Sequence, residues 1–139
     1  MNRSDFLAIA RQWKGTPYHD QARLKAVGAD CIGFIIGCIA EATGRVVDAP
    51  TTYGRYPDPT GALAAVAASG EAIPIDKAAA QPADMLYMRI ARQPQHFGIV
   101  SDGGQIIHCV EPVGVVEVTL APWMLSRTMF AWRLRLIED

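Results

Sequence analysis

The sequence predicts an α+β fold, with helices in the first part of the chain and a mostly antiparallel sheet in the last part. Two patterns carry this expectation. Apolar residues at helical spacing fill residues 5–13 and 30–42, whereas runs that read as strands dominate after residue 84. The third observation is their order, helices first and strands later, with no internal repeat and no linker composition between them. One compact domain spanning 1–139 is therefore expected.

Ser4 is the expected cap of a first helix, about Asp5 to Trp13, with Phe6, Ile9, Ala10 and Trp13 on one face. Gly15 and Pro17 end it. A polar loop from His19 to Ala29 leads to a second helix, about Asp30 to Ala42, stopped at Thr43-Gly44. This helix is apolar almost all round, so it is expected to be central and buried. Its glycines, Gly33 and Gly37, leave a smooth stripe where another element packs closely. The Pro-, Gly- and Tyr-rich stretch 48–61 reads as an ordered surface loop, Ala62 to Ala68 as a short helix, and 78–84 as a connector. Strands are expected at Met85 to Ile90, His96 to Ser101, Gln105 to Val110, Val115 to Leu120 and Met129 to Leu136. A helical turn is expected at Pro122 to Ser126.

Composition narrows the function classes. The 139 residues are half hydrophobic and 19% charged, with a formal net charge of -1. That balance offers nothing to a nucleic-acid backbone. The longest apolar run, Cys31 to Ala40, falls short of the ~20 residues that span a bilayer, so no membrane insertion is expected. The N-terminal stretch lacks a signal-peptide core, being interrupted by Asp5 and Arg11. Synthesis in a cytosol, with export by another route, is the expectation. Three cysteines, at 31, 38 and 109, make no disulfide framework. Cys31 and Cys38 are seven apart on one helix, roughly 10 Å, too far to bridge.

Cys31 follows Asp30, an expected N-cap, and so falls in the first helical turn. Unpaired backbone N–H groups and the positive end of the helix dipole favour thiolate there. The same N–H groups can hold an oxyanion. The stretch HFGIVSDGGQIIH is a hairpin signal. A three-residue loop, Asp102 to Gly104, pairs His108 with Gly98 and sets His96 diagonal to His108 on one face. Phe97, Ile99, Ile107 and Cys109 then share the other face, a good core face, which supports this register. Cys31, His96 and His108 thus form a nucleophile, a base and its orienter. His19, beside Asp20, reads as solvent-exposed, and Cys38 and Cys109 read as buried core thiols. Cys31, His96 and His108 are also zinc ligands by type. They are not clustered in sequence, and a helix-start thiol suits a nucleophile better, so no metal and no cofactor is expected.

These residues resemble the NlpC-type cysteine peptidases, papain-like cell-wall hydrolases. The resemblance runs from Trp13 to about Cys109 and rests on GTPY, then DC-x-GF, then HFGIV, then the histidine of IIHC. PADMLYM is similar to the strand entry of that family. The fuller pattern W-x-GTPY-x-x-QA-x-LKAVGADC resembles the branch found in phage tails and phage-like gene-transfer particles. The resemblance implies a papain-like fold, with the Cys-bearing helix packed on the sheet that bears the two histidines. It implies Cys31 as nucleophile, His96 as base, His108 as third polar member and Tyr18 as a hydroxyl aiding the oxyanion hole. It also implies that Asp30 recognises the free amine of a peptidoglycan stem peptide, with cleavage commonly between D-glutamate and the diamino acid.

Three positions depart from the family pattern. Ile32 stands where a serine often follows the cysteine, HDQARL replaces a double glycine after the tyrosine, and Ala83 replaces a glycine before Asp84. The first two bear on substrate recognition. The expected function is a phage-tail-associated peptidoglycan peptidase that aids DNA entry, made in the host cytoplasm, carried in the virion tail beside other tail proteins and acting on the bacterial wall. The alternative is a structural tail-tip component that keeps the fold with little chemistry. A resting thiolate–imidazolium pair is expected for the enzyme.

Overall fold

A computed structural model describes residues 1–45, 72–90 and 93–138. The expected loop at 48–61 and helix at 62–68 lie outside the described residues. Helix α1 (Arg3–Arg11) starts two residues earlier than the sequence suggested, because Asn2 rather than Ser4 caps it, accepting from the Asp5 N–H at 2.8 Å. The stretch expected as a loop contains a small antiparallel ladder, β1 (Arg23–Leu24) with β2 (Gly28–Ala29). Helix α2 (Cys31–Thr43) follows directly and ends on Gly44 at φ 71°, a left-handed cap that glycine adopts freely.

The other described strands form one six-stranded antiparallel sheet, β3 (Ala72–Ile75), β4 (Met85–Ile90), β5 (Gln93–Val100), β6 (Gln105–Val110), β7 (Gly114–Thr119) and β8 (Thr128–Leu134). Their spatial order is β3-β8-β4-β5-β6-β7, so the last strand is inserted between β3 and β4. Strand β3 gave no signal of its own, since its Ala-Ile-Pro-Ile pattern is short and contains a proline; it is an edge strand, where a missing N–H is tolerated.

Each face of the sheet has its own core. Met85, Tyr87, Phe97, Ile99, Ile107, Cys109 and Trp132 pack against α1 and α2, with Phe6, Phe34, Ile35 and Ile39. On the other face Leu86, Met88, Val100, Ile106 and Ala131 pack with Met124 of the short helix α3 (Pro122–Ser126). The alternation of β5 and β6 sorts their side chains as expected, Phe97, Ile99, Ile107 and Cys109 all into the first core.

Polar ties fix how the helices sit on the sheet. Asp84 is fully buried and accepts from Arg133 Nε (2.9 Å) and Nη2 (2.8 Å), Arg3 Nη1 (3.1 Å) and the Gln81 N–H (2.8 Å). A buried carboxylate is tolerated only when paired in this way. At the opposite edge Arg11 and Lys14 both reach Glu117 of β7, at 3.1 Å each. Helix α2 owes its close fit to two residues without side chains. A Cβ at Gly37 would meet the Trp13 ring at 2.3 Å, and one at Gly33 the Ala22 carbonyl oxygen at 1.9 Å.

Candidate active site

The hairpin register is the one the hydrophobic partition required. Gly98 pairs with His108 and Ile99 with Ile107, and the turn Asp102–Gly104 carries Gly103 and Gly104 at φ 65° and 72°. His96 and His108 therefore share a face, with only Gly98 directly between them. Their rings meet edge to face, centroids 4.9 Å apart, and His96 Nε2 lies 2.8 Å from His108 Nδ1. His96 is wholly buried, and its other nitrogen, Nδ1, has no hydrogen-bond partner among the described residues. A buried polar atom left unpaired is costly, and such atoms in native folds mark strain or chemistry.

Cys31 begins α2, and Asp30 caps it, as expected. Asp30 Oδ1 accepts from the Gly33 N–H at 2.7 Å. The thiol is 4% exposed and meets backbone N–H groups of Phe97, Ile32 and Cys31 itself. The Phe97 contact matters most for the geometry. It brings the sulfur to the peptide that joins Phe97 to His96, at the end of the β5–β6 ladder. Nucleophile candidate and base candidate thus come from a helix and a strand more than sixty residues apart in the chain.

The electrostatics oppose one expectation. Burial pushes the Cys31 thiol up to about 12, with the Asp30 carboxylate adding to the effect; the three N–H groups oppose it and lose. Burial also pulls His96 down to about 3, helped by His108, and pulls His108 down to about 4. Both shifts favour a neutral thiol and a neutral imidazole in the buried site. They run against the expected thiolate–imidazolium pair, because the helix-start N–H groups contribute less than the loss of water costs.

Asp30 is tied to the backbone through both carboxylate oxygens. It is 4% exposed, and while Oδ1 caps α2, Oδ2 accepts from the Gln21 N–H at 2.8 Å. Its carboxylate thereby holds the Gln21 turn to the helix start. Gln21 sits at φ 62°, in the left-handed region, within the HDQARL segment that replaces the family glycines. Ile32 is buried in the core. Tyr18 is half-buried and its backbone bridges Ala29, two residues before Cys31, which keeps it beside the helix start. His19 is exposed, as expected, with Nδ1 3.1 Å from the Asp20 carbonyl. Among the described residues no group of three or more His, Cys, Asp or Glu side chains is gathered as a metal site.

Two contributors escaped the sequence. The backbone of Phe97 faces the thiol, and no side-chain pattern announces a main-chain donor. Cys109, read as plain core, places Sγ 3.1 Å from the Ala29 carbonyl oxygen. Its position directly after His108, on the other face of β6, was the available signal.

A helix-start thiol packed on an antiparallel sheet that carries a coupled histidine pair defines a papain-like thiol site. The family model described as NlpC/P60 matches residues 13–133, and the chain belongs to that family. The chain is similar to the NlpC/p60 domain of the peptidoglycan hydrolase SagA, with 25% identity, TM-score 0.65, and coverage of 94% of this chain and 97% of that one. It shares its fold with the P60 domain of the Mycobacterium avium subspecies paratuberculosis antigen MAP1204 at 14% identity and TM-score 0.64, covering 94% and 93%. It also shares its fold with an NlpC/P60 family protein from Bacillus cereus ATCC 10987, at 18% identity and TM-score 0.66. That match covers 94% of this chain but 39% of the larger relative. No curated protein matches the chain.

Proposed function

We propose that the protein is a cysteine peptidase hydrolysing amide bonds in peptidoglycan stem peptides, with Cys31 as nucleophile, His96 as general base and acid, and His108 as the residue that orients His96. One observation carries this assignment. His96 is gripped at Nε2 by His108 while its buried Nδ1 is left without a partner, and the Cys31 thiol contacts the backbone at the next peptide. Family membership and the likeness to a peptidoglycan hydrolase domain support the substrate class.

The roles fix the tautomers. For Nδ1 to accept a proton, His96 must carry its ring proton on Nε2 and donate it to His108 Nδ1. His108 then holds its own proton on Nε2. Because both partners rest neutral, proton transfer accompanies attack. The sulfur bonds to the amide carbon as its proton moves to His96 Nδ1. Backbone N–H groups at the start of α2, with the Tyr18 hydroxyl, stabilise the oxyanion. The His96 imidazolium then protonates the leaving amine as the carbon–nitrogen bond breaks, leaving a thioester. Water, giving a proton back to His96, releases the acid and restores the thiol.

The finer reading is a wall hydrolase of a phage tail or gene-transfer particle. It would be made in the host cytoplasm, assembled with other tail proteins and used on the bacterial wall during DNA entry. The extended pattern from Trp13 to Cys31 supports it. The burial of Cys31 and His96 favours a second reading, a tail-tip component with the same fold whose site is closed to substrate. Digestion of purified sacculi, followed by mass spectrometry of the released muropeptides, tests both. Cys31→Ala and His96→Ala should lose activity by at least about 10³-fold with the fold intact. Undiminished digestion by Cys31→Ala protein refutes the peptidase. Inactivity of both the wild-type protein and intact particles favours the structural component.

A further inference from the structure

We propose that Cys109 is a positioning residue for the nucleophile, acting through the carbonyl of Ala29. The proposal rests on the peptidase reading above and adds a residue to its machinery. Strand β6 presents His108 and Cys109 to opposite faces. His108 holds the base candidate. Cys109 is fully buried and donates its S–H to the Ala29 oxygen at 3.1 Å, two residues before Cys31. Burial pushes Cys109 up to about 12, so it stays a donor across the physiological range.

Ala29 is held from every side. Its N–H donates to the Pro17 carbonyl at 3.0 Å, and its oxygen also accepts from the His19 N–H at 2.9 Å. Among the described residues the Cys109 bond reaches from Ala29 to the sheet that bears the histidines, whereas the Pro17 and His19 bonds tie it to the Tyr18 loop. Continuing the β5–β6 register by one residue sets Cys109 beside Phe97, whose N–H meets the Cys31 sulfur. One dipeptide, His108-Cys109, thereby sets the base from one face and the nucleophile's corner from the other.

A core-filling role makes the opposite ranking of variants. Cys109→Val keeps apolar volume without a donor, and Cys109→Ser keeps a donor in a smaller, polar side chain. The variants should be compared in kcat and KM on soluble muropeptides, in thermal midpoint, and in the rate of Cys31 alkylation by iodoacetamide read on the Cys31 peptide. Cys109→Val should lower kcat about fivefold with KM unchanged, the effect of losing one ordinary hydrogen bond, and should slow Cys31 alkylation similarly. Cys109→Ser should stay within about twofold of wild type in both. Val equal to or better than Ser in both kcat and alkylation overturns the proposal. If wild-type protein hydrolyses no muropeptide, the peptidase reading fails, and the alkylation ranking alone still decides the role of Cys109.

Discussion

Replacing Gly33 by alanine should destabilise the protein, although the same exchange in an ordinary helix interior stabilises by about 1 kcal/mol. The added Cβ would lie 1.9 Å from the Ala22 carbonyl oxygen and 2.9 Å from its carbon. Both are backbone atoms, so no side chain can rotate away, and roughly 1.5 Å must open before the contact becomes ordinary. The same oxygen accepts the Asp30 N–H at 3.2 Å, and that bond is lost as the segments part. Overpacking costs about 1–3 kcal/mol and the hydrogen bond about 1, offset by about 1 of helix propensity. The net loss is about 1–3 kcal/mol, a fall in thermal midpoint of roughly 3–12 °C for a chain of this size. Function should suffer with it, since the displaced segment carries the Gln21 N–H that Asp30 accepts beside Cys31. Thermal melts followed by circular dichroism, with sacculus digestion on the same samples, check both effects. A midpoint equal to or above wild type would refute the packing argument.

The reverse exchange is expected to help at Ala83, which sits at φ 80° where an L side chain is strained; Ala83→Gly should raise stability by about 1 kcal/mol in denaturant melts, and a loss would count against strain there. Glu117 is held down to about 2, chiefly by its hydrogen bond from Arg11. A depressed carboxyl stabilises the fold above its ordinary value of 4.5 and loses that contribution as pH falls from there towards 2. Wild-type thermal midpoints should therefore drop more steeply than those of Glu117→Gln between pH 5 and pH 2, and parallel curves would rule this out. Burial raises Cys31 to about 12, so its alkylation by iodoacetamide in the free protein should keep climbing through pH 8–10. A plateau below pH 8 would instead reveal a preformed thiolate.

Much of the sheet was legible because its strands obey local rules. Asp102-Gly103-Gly104 permits one tight turn, and the apolar partition of β5 and β6 then admits one register, from which the meeting of His96 and His108 follows. Strand β4 and the turn Pro122–Ser126 were read with their boundaries for the same reason. The ladder β1–β2 and strand β3 were missed. Two-residue strands have no period, and β3 carries a proline and is stabilised chiefly by its pairing with β8. The start of α1 was misplaced because two capping residues, Asn2 and Ser4, stand two apart, and only the folded backbone selects between them.

The sequence by itself determined that Asp30 caps a helix beginning at Cys31, that the two histidines share a face, and that Phe97, Ile99, Ile107 and Cys109 share a core face. These are short-range consequences of periodicity, turn chemistry and capping. Only the tertiary structure decided which way burial pushes the charge of the site, because desolvation depends on everything packed around a group and not on its neighbours in the chain. It likewise decided that Asp30 spends both oxygens on backbone N–H groups, that the Phe97 main chain faces the thiol, and that Cys109 reaches the carbonyl before the nucleophile. Each of these joins segments distant in sequence through a backbone atom or a buried contact, and neither leaves a pattern in the order of side chains.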